Sequence, residues 1–401
     1  MPSARETLQA LLHRADIGTA GERPHDLQVH DHRLHARVLG QGALGLGEAY
    51  MDGWWDCRRL DLLAERLLRA DLEREVRPSL PAVWHRLRAK LLNLQSRRGA
   101  RRVAREHYDV GNDLFQGMLD PYMQYSCACW QDGDTLADAQ ERKLELICRK
   151  LHLEPGMRLL DIGCGWGGLA RYAAERHGIS VQGITISREQ ASLAGEVTQG
   201  LPVDVQLRDY RELKGEFDRV VSVGMFEHVG EKNYRRFFSV VRRCLVPDGL
   251  FLLQTIGKNR PSAAVNRWTH RYIFPNGQLP SPSQIARAAE GTFVLEDWDS
   301  FGEQYDRTLM AWWRNFERAW PHLRDRYGER FYRMWRYYLL TCAGAFRSRR
   351  IQLWQLVFSP GGVDGGYAAV RWGEEVGRAS TRIQDLGQSH ERLEAEVPDD
   401  P

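Results

Sequence analysis

RLLDIGCGWGGLARY, residues 158–172, decides the fold. A short apolar run (158–162) breaks into a glycine-rich loop, and the segment 169–176 that follows has helical periodicity, so the order is strand, loop, helix. The pattern then repeats outward. SVQGITI (180–186) is the next strand, and Ser187 with Gln190 three residues on has the spacing of a capping box opening a helix. Segments 203–208, 219–225 and 250–256 supply three more strands, with a helix over about 232–244 between the last two. Segments 293–298 and 353–358 complete a set of seven, separated by helices near 305–320 and 328–347. Strands alternating with helices predict an α/β, doubly wound, mostly parallel sheet covered on both faces.

Length and charge bound the rest. A chain of 401 residues with 43% apolar and 27% charged residues is globular, and one large domain with an accessory domain is expected. The net charge of +3 excludes a strong global field, so any polyanion argument must be local. No apolar run reaches about 18 residues, and Arg5, Glu6, Arg14 and Asp16 interrupt the first thirty, which is not a secretory pattern; a cytosolic protein is expected. Seven cysteines without a repeated CxxC spacing predict reduced thiols rather than a disulfide framework, and no His, Cys and carboxylate cluster has metal-ligand spacing.

Residues 1–75 read as a small helical N-terminal domain, with 6–12 amphipathic and 43–54 mixing glycines with aromatics. Residues 76–106 form a basic segment: from Val76 to Arg105 the bases Arg77, Arg86, Arg88, Lys90, Arg97, Arg98, Arg101, Arg102 and Arg105 occur with no acid, interleaved with Trp84, Leu87, Leu91, Leu92 and Leu94. A solvated helical linker, an interfacial helix meeting anionic headgroups, and a nucleic-acid surface all fit that pattern. The catalytic domain is expected over 107–362. Within it an insertion at about 257–290 is too long for a plain connection and is a candidate lid or substrate wall. Residues 363–401 are polar, end in acid, and are expected to be poorly ordered.

The glycine loop belongs to the nucleotide crevice of a doubly wound sheet, but GxGxG alone does not name the ligand. A dinucleotide site wants an acid about 20 residues on, and the second strand ends Thr185, Ile186, Ser187 without one. Instead Asp161 stands two residues before Gly163. It would repel a pyrophosphate and favour a cationic ligand, of which S-adenosylmethionine is one; a plain capping role for Asp161 is the competing reading. The ribose then falls to Gln190 and the adenine to Asp209 and Tyr210. Enzymes that methylate exocyclic base amines place an Asn/Asp-Pro-Pro-aromatic turn after the fourth strand. Here that turn is Gly224, Met225, Phe226, Glu227, His228, so nucleic acid is disfavoured as a partner.

HYDVGNDLF (107–115), MQYSCACW (123–130), LLDIGCGWGG (159–168), GITISREQ (183–190), SVGMFEHVG (222–230), YIFPNGQLPS (272–281) and CAGAFR (342–347) resemble the cyclopropane-fatty-acyl-phospholipid synthases, relatives of the mycolic acid cyclopropane synthases. LGLGEAYMDGWW (44–55) is similar to the N-terminal domain of the phospholipid-acting branch. The resemblance spans about 30–360. It implies an S-adenosylmethionine-dependent methyltransferase fold and transfer of a methylene to the cis double bond of an acyl chain in an intact membrane phospholipid. It further implies bicarbonate as the general base, a homodimer, and a cytoplasmic enzyme peripherally attached to the inner membrane face.

By matching motif, the implied bicarbonate cradle is Cys127, Glu227, Tyr305 and the backbone of Ile256. The family's remaining ligand is a histidine in an HTIG segment, and this chain reads Gln254, Thr255, Ile256, Gly257 there. A glutamine amide donates and accepts hydrogen bonds but never carries charge, so Gln254 is expected to ligate bicarbonate more weakly. The implied cofactor set is Tyr125, Ser126, Gly163, Cys164, Gly165, Gly167, Thr185, Ile186, Ser187, Gln190, Asp209 and Tyr210, with Asp161 from the spacing above. Cys342 is a lone cysteine that reads as packing before nucleophile, since alkene alkylation has no acyl intermediate. His107 and His228 read as structural before functional, and the stripe Trp312, Trp313, Phe316, Trp320 as core before acyl channel. Two other outcomes compete: a methylene- or methyl-branched product at the same double bond, and a non-catalytic lipid-binding protein.

Overall fold

The computed structural model describes residues 2–72, 111–261 and 266–371. The basic segment 76–106, His107 and residues beyond 371 lie outside the described residues.

Seven strands form one sheet: β1 (Arg158–Ile162), β2 (Ser180–Thr185), β3 (Val203–Leu207), β4 (Phe217–Val223), β5 (Leu245–Lys258), β6 (Val294–Ser300) and β7 (Ile351–Ser359). Their order is β3-β2-β1-β4-β5-β7-β6. Neighbours run parallel from β3 through β5, and β7 is antiparallel to both β5 and β6. All seven strands fall close to the runs expected for them; the central strands are largely buried, while the edge strands β3 and β6 are partly exposed. Successive residues of β1 feed opposite layers. Leu160 and Ile162 join Phe237, Phe238 and Val241 of α9 (Tyr234–Cys244), and Leu159 joins Ile147 of α6 (Leu136–Lys150) and Ala173 of α7 (Gly168–His177). The strand order reverses between β1 and β4, which opens a crevice at the carboxyl ends of these strands.

The N-terminal helices are α1 (Ala4–Arg14), α2 (Arg33–Gln41), α3 (Ala43–Met51) and α4 (Leu60–Arg69), with a two-residue antiparallel ladder pairing Gln28 with Asp56 and Val29 with Trp55. They do not close a core of their own. Leu34, Tyr50, Trp55 and Leu60 share one continuous apolar cluster with Trp335, Tyr337 and Leu340 of α12 (Glu303–Arg347). Gly344 lets α12 lie directly on α4, since a Cβ there would strike the Asp61 carbonyl oxygen. α12 is made of the two helices expected near 305–320 and 328–347, set end to end. The first continues through Pro321, and the break falls at Gly328, where φ is 74° and ψ 165°.

The insertion after β5 carries α10 (Arg267–Tyr272) and α11 (Pro282–Ala289). α10 docks on α3: Trp268 seats against Gly47, and the Tyr272 hydroxyl donates to Glu48 Oε1 at 2.9 Å. The tail differs from expectation up to Arg371. Val363 N–H donates to Glu296 Oε1 at 3.0 Å, the Tyr367 hydroxyl donates to the Lys150 carbonyl at 2.7 Å, and Arg371 pairs with Asp297. Composition missed these anchors because they are three isolated contacts rather than an apolar run. Among the described residues, no helix is long and apolar enough to cross a membrane.

Candidate functional site

The glycine loop needs its glycines. Gly163, Gly165 and Gly167 have φ of 90°, 56° and 80°, a backbone region that other residues adopt at a cost. The N–H groups of Gly163 and Cys164 both donate to the Ile184 carbonyl, at 2.9 and 3.0 Å, tying the loop to the tip of β2. A Cβ built on Gly165 would meet nothing, so the loop borders a hollow at the sheet's carboxyl edge. Cys164 points away from it, its Sγ filling the space a Cβ on Gly183 would need.

At the tip of β2, Ser187 Oγ accepts from Gln190 N–H at 3.3 Å and caps α8 (Arg188–Val197). The reciprocal half of the anticipated capping box is replaced: Gln190 Oε1 accepts from the Thr185 hydroxyl at 2.8 Å, and Ser187 N–H donates to that same hydroxyl at 3.2 Å. Ile186 is 36% exposed beside them. Asp209 caps the short turn Tyr210–Glu212, accepting from Arg211 N–H at 2.9 Å and from its guanidinium at 2.8 Å. The Tyr210 ring packs 5.4 Å from Phe237, so that side chain is committed to the core. Asp161 is 2% exposed on β1. Burial pushes its carboxyl up to about 7, opposed by the Lys143 ammonium nearby.

A second group of side chains gathers beside this crevice. Glu227, in the turn after β4, accepts from Ile256 N–H on β5 through Oε1 at 2.6 Å, while its buried Oε2 has no partner. Burial raises its carboxyl to about 7, so near neutrality it holds a proton about half the time. Tyr305, on the first turn of α12, is buried with its hydroxyl pKa driven up by desolvation and then by Cys127, Glu227, Tyr125 and Cys342. Cys127 Sγ lies 3.9 Å from Thr308 Oγ1, one turn along α12 from Tyr305, and burial keeps its thiol protonated. Thr308 also accepts from Ala128 N–H at 3.1 Å and Trp130 Nε1 at 2.9 Å, stitching 127–130 to the helix.

Gln254 is 1% exposed on β5, and its Oε1 accepts from Gln355 Nε2 of β7 at 2.9 Å. Cys342 keeps some accessible surface although burial pushes its thiol to about 12, as for a group lining an enclosed space; an ionised nucleophile does not exist there at neutral pH. His228 is held down to about 4 by burial and is neutral at pH 7. Trp312 and Phe316 are buried in the shared apolar cluster.

Aromatic rings close the space between the two groups. The Tyr125 hydroxyl lies 2.9 Å from the Tyr338 hydroxyl, and its ring is 5.1 Å from Trp312 and 5.2 Å from Phe115. Tyr305 is 4.5 Å from Phe346 and 6.0 Å from Trp312, whose buried Nε1 has no partner. Orphaned polar atoms on Glu227 and Trp312, beside a buried hydroxyl and thiol, fit a small oxyanion that carries a proton of its own. The hollow at Gly165 fits a cofactor laid across the sheet edge.

A seven-stranded sheet of this order with a GxGxG turn at the switch point is the fold of S-adenosylmethionine-dependent methyltransferases. Solved structures agree: the cyclopropane synthase MmaA2 from Mycobacterium tuberculosis matches with a TM-score of 0.63 at 31% identity, covering 67% of this chain and 100% of that one. The mycolic acid cyclopropane synthase CmaA1 complexed with SAH and CTAB matches with a TM-score of 0.61 at 32% identity, covering 65% and 98%. The family model described as Mycolic acid cyclopropane synthetase matches residues 95–356. The cyclopropane-fatty-acyl-phospholipid synthase of Escherichia coli strain K12 is 55% identical over 361 residues, 90% of this chain and 94% of that protein. The chain belongs to the cyclopropane synthase family of S-adenosylmethionine-dependent methyltransferases.

Lys143, Gln140 and Gln355, all buried and all touching the site, were missed in the sequence reading. A signal existed for the first two: Lys143 falls on the stripe Ala139, Leu146, Ile147 of α6, where a solvated lysine has no place.

Proposed function

We propose that the protein transfers a methylene from S-adenosylmethionine to the cis double bond of an unsaturated acyl chain in a membrane phospholipid, closing a cyclopropane ring. The observation that carries this reading is that the stretch 122–127 packs against Gly168, where the glycine loop enters α7, and reaches Thr308 of α12 through Cys127, so one stretch of backbone joins the loop to the helix that bears Tyr305. S-adenosylmethionine supplies an electrophilic methyl, and bicarbonate supplies a base for the surplus proton.

The chain's own residues do the rest. The loop 163–167 and the Thr185–Gln190 turn hold the cofactor, and Asp161, about half ionised near neutrality, offers partial negative charge at its base. Cys127, Glu227, Tyr305 and Gln254 hold the anion, and the Ile256 N–H acts through the Glu227 carboxyl to which it already donates. A Glu227 carboxyl raised to about 7 favours that role, because a protonated carboxyl donates to an anion that a carboxylate would repel. Tyr125, Tyr305, Trp312 and Phe346 keep water out and present ring faces, each worth about 1–2 kcal/mol to a desolvated cation. An alkene is a weak nucleophile, and holding it near the methyl in such a slot lowers the barrier by several kcal/mol.

The test is incubation of purified protein with labelled S-adenosylmethionine and vesicles of one defined monounsaturated phospholipid, followed by proton NMR of the extracted lipid. High-field ring protons are expected. New terminal =CH2 protons, distinct from the substrate's own CH=CH signal, would assign a methylene branch instead, and no label in lipid would overturn enzymatic transfer to this substrate class.

A further inference from the structure

Residues 120–127 form a strap that supplies Tyr125 and Ser126 to the cofactor side and Cys127 to the anion side. Its shape is not set by its own ladder of hydrogen bonds. Asp120 begins it, accepting from Tyr122 N–H at 2.9 Å and Gln124 N–H at 2.8 Å. Gln124 Nε2 turns back to the Tyr122 carbonyl at 3.0 Å. The strap lies so close to the start of α7 that a Cβ on Gly168 would collide with the Tyr122 carbonyl and the Gln124 amide.

From beneath, one turn of α6 grips it. Gln140 Nε2 donates to the Ser126 carbonyl at 2.9 Å and to the Gln124 carbonyl at 3.4 Å. Lys143, three residues on and therefore on the same face, donates from Nζ to Gln124 Oε1 and to Ser126 Oγ at 3.1 Å. Both side chains are 0% exposed. A lysine with no water contact is costly, and burial lowers its ammonium to about 8. An apolar residue of similar length would fill the same volume at no such cost. What the ammonium adds is several donors aimed at the strap and positive charge beside Asp120 and Asp161, both of whose carboxyls it favours in ionised form.

We propose that Lys143, with Gln140, is a positioning residue of the reaction: by fixing Gln124 and Ser126 it sets the strap's register, and so holds the cofactor ligands and Cys127 in a fixed relation to each other. This rests on the proposed reading of the site. It makes a claim that packing alone does not: loosening the strap should weaken cofactor and anion together and alter lipid capture far less, because of the rings proposed to wall the slot only Tyr125 stands on the strap, while Tyr305, Trp312 and Phe346 stand on α12.

The experiment compares wild type, Lys143→Met and Gln140→Leu by calorimetric titration with S-adenosylmethionine, by bicarbonate and phospholipid KM, and by thermal midpoint. The expected result for Lys143→Met is a rise of about tenfold or more in S-adenosylmethionine Kd, corresponding to at least about 1.4 kcal/mol, and a parallel rise in bicarbonate KM. Phospholipid KM should stay within about twofold. Gln140→Leu should show the same pattern, smaller. A folded Lys143→Met with both constants unchanged, or with the S-adenosylmethionine Kd and both KM values shifted alike, overturns the proposal. If that variant does not fold, Gln140→Leu decides on the same criteria. Wild type without affinity for S-adenosylmethionine would instead overturn the reading of the site, and this inference with it.

Discussion

Glu227 is a buried carboxyl with one oxygen satisfied and the other orphaned. Its folded pKa of about 7 exceeds the unfolded value of 4.5, so the fold favours the protonated form. Its contribution to stability is complete below pH 4.5 and is lost as pH rises through 7. Wild type should therefore lose on the order of 2 kcal/mol relative to Glu227→Gln between pH 4.5 and 8, read from urea midpoints in bicarbonate-free buffer. Parallel curves would refute the assignment. Gln254 makes a second case. Its amide is oriented by Gln355, and it lacks the charge a histidine could bring to a bound anion. Gln254→His should lower bicarbonate KM by about fivefold, the equivalent of about 1 kcal/mol; unchanged anion dependence and activity would show that position 254 does not touch the anion. Individual residues were unevenly legible. Glycines, caps and the Glu227 turn are local patterns, whereas Gln355 meets Gln254 only through the antiparallel pairing of strands a hundred residues apart.

At the scale of elements, the strands were readable because the central ones are largely buried and leave an apolar signature, while the edge strands β3 and β6 are shorter-signalled and partly exposed. The two helices of α12 were legible as two, but their end-to-end placement carries no local mark. Gly328 holds a φ, ψ pair nearly exclusive to glycine. Gly328→Ala should destabilise the protein by about 1–3 kcal/mol, lowering the thermal midpoint; an unchanged midpoint would mean the break can relax into helix. The insertion, read as a lid or wall, is built of two short helices. The first is held by Trp268 and Tyr272 against α3, and beyond it Gln278 N–H donates to the Glu227 carbonyl at 2.8 Å, so its far end reaches the anion pocket.

Across the whole molecule, charge joins what apolar contact brings together. Asp61 of α4 is buried, which alone would raise its carboxyl, yet hydrogen bonds from Arg59 and Arg347 hold it at about 2. The sign is opposite to that of Glu227: this stability is present above pH 3.8 and lost as pH falls through 2. Asp61→Asn should cost about 2–3 kcal/mol at pH 7 and about half as much at pH 3, where the folded carboxyl is still mostly ionised, by chemical unfolding; an equal deficit at both would point to packing instead of charge. For the basic segment 76–106, membrane docking is proposed from composition alone. Reversing charge at Arg97, Arg98, Arg101 and Arg102 should abolish sedimentation with anionic vesicles while leaving neutral ones unaffected, and undiminished sedimentation would refute it. The N-terminal helices were recognisable from their aromatic-glycine pattern, but their partnership with a helix nearly three hundred residues later is a tertiary fact that periodicity does not encode.

That partnership limits how the chain can be divided. Cutting after residue 72 would strip the covering from Trp335, Tyr337 and Leu340 while those side chains still belong to the helix whose first turn bears Tyr305. The excised remainder would carry a raw greasy flank and self-associate, and any distortion of that flank would meet the Gly328 break before it reached Tyr305.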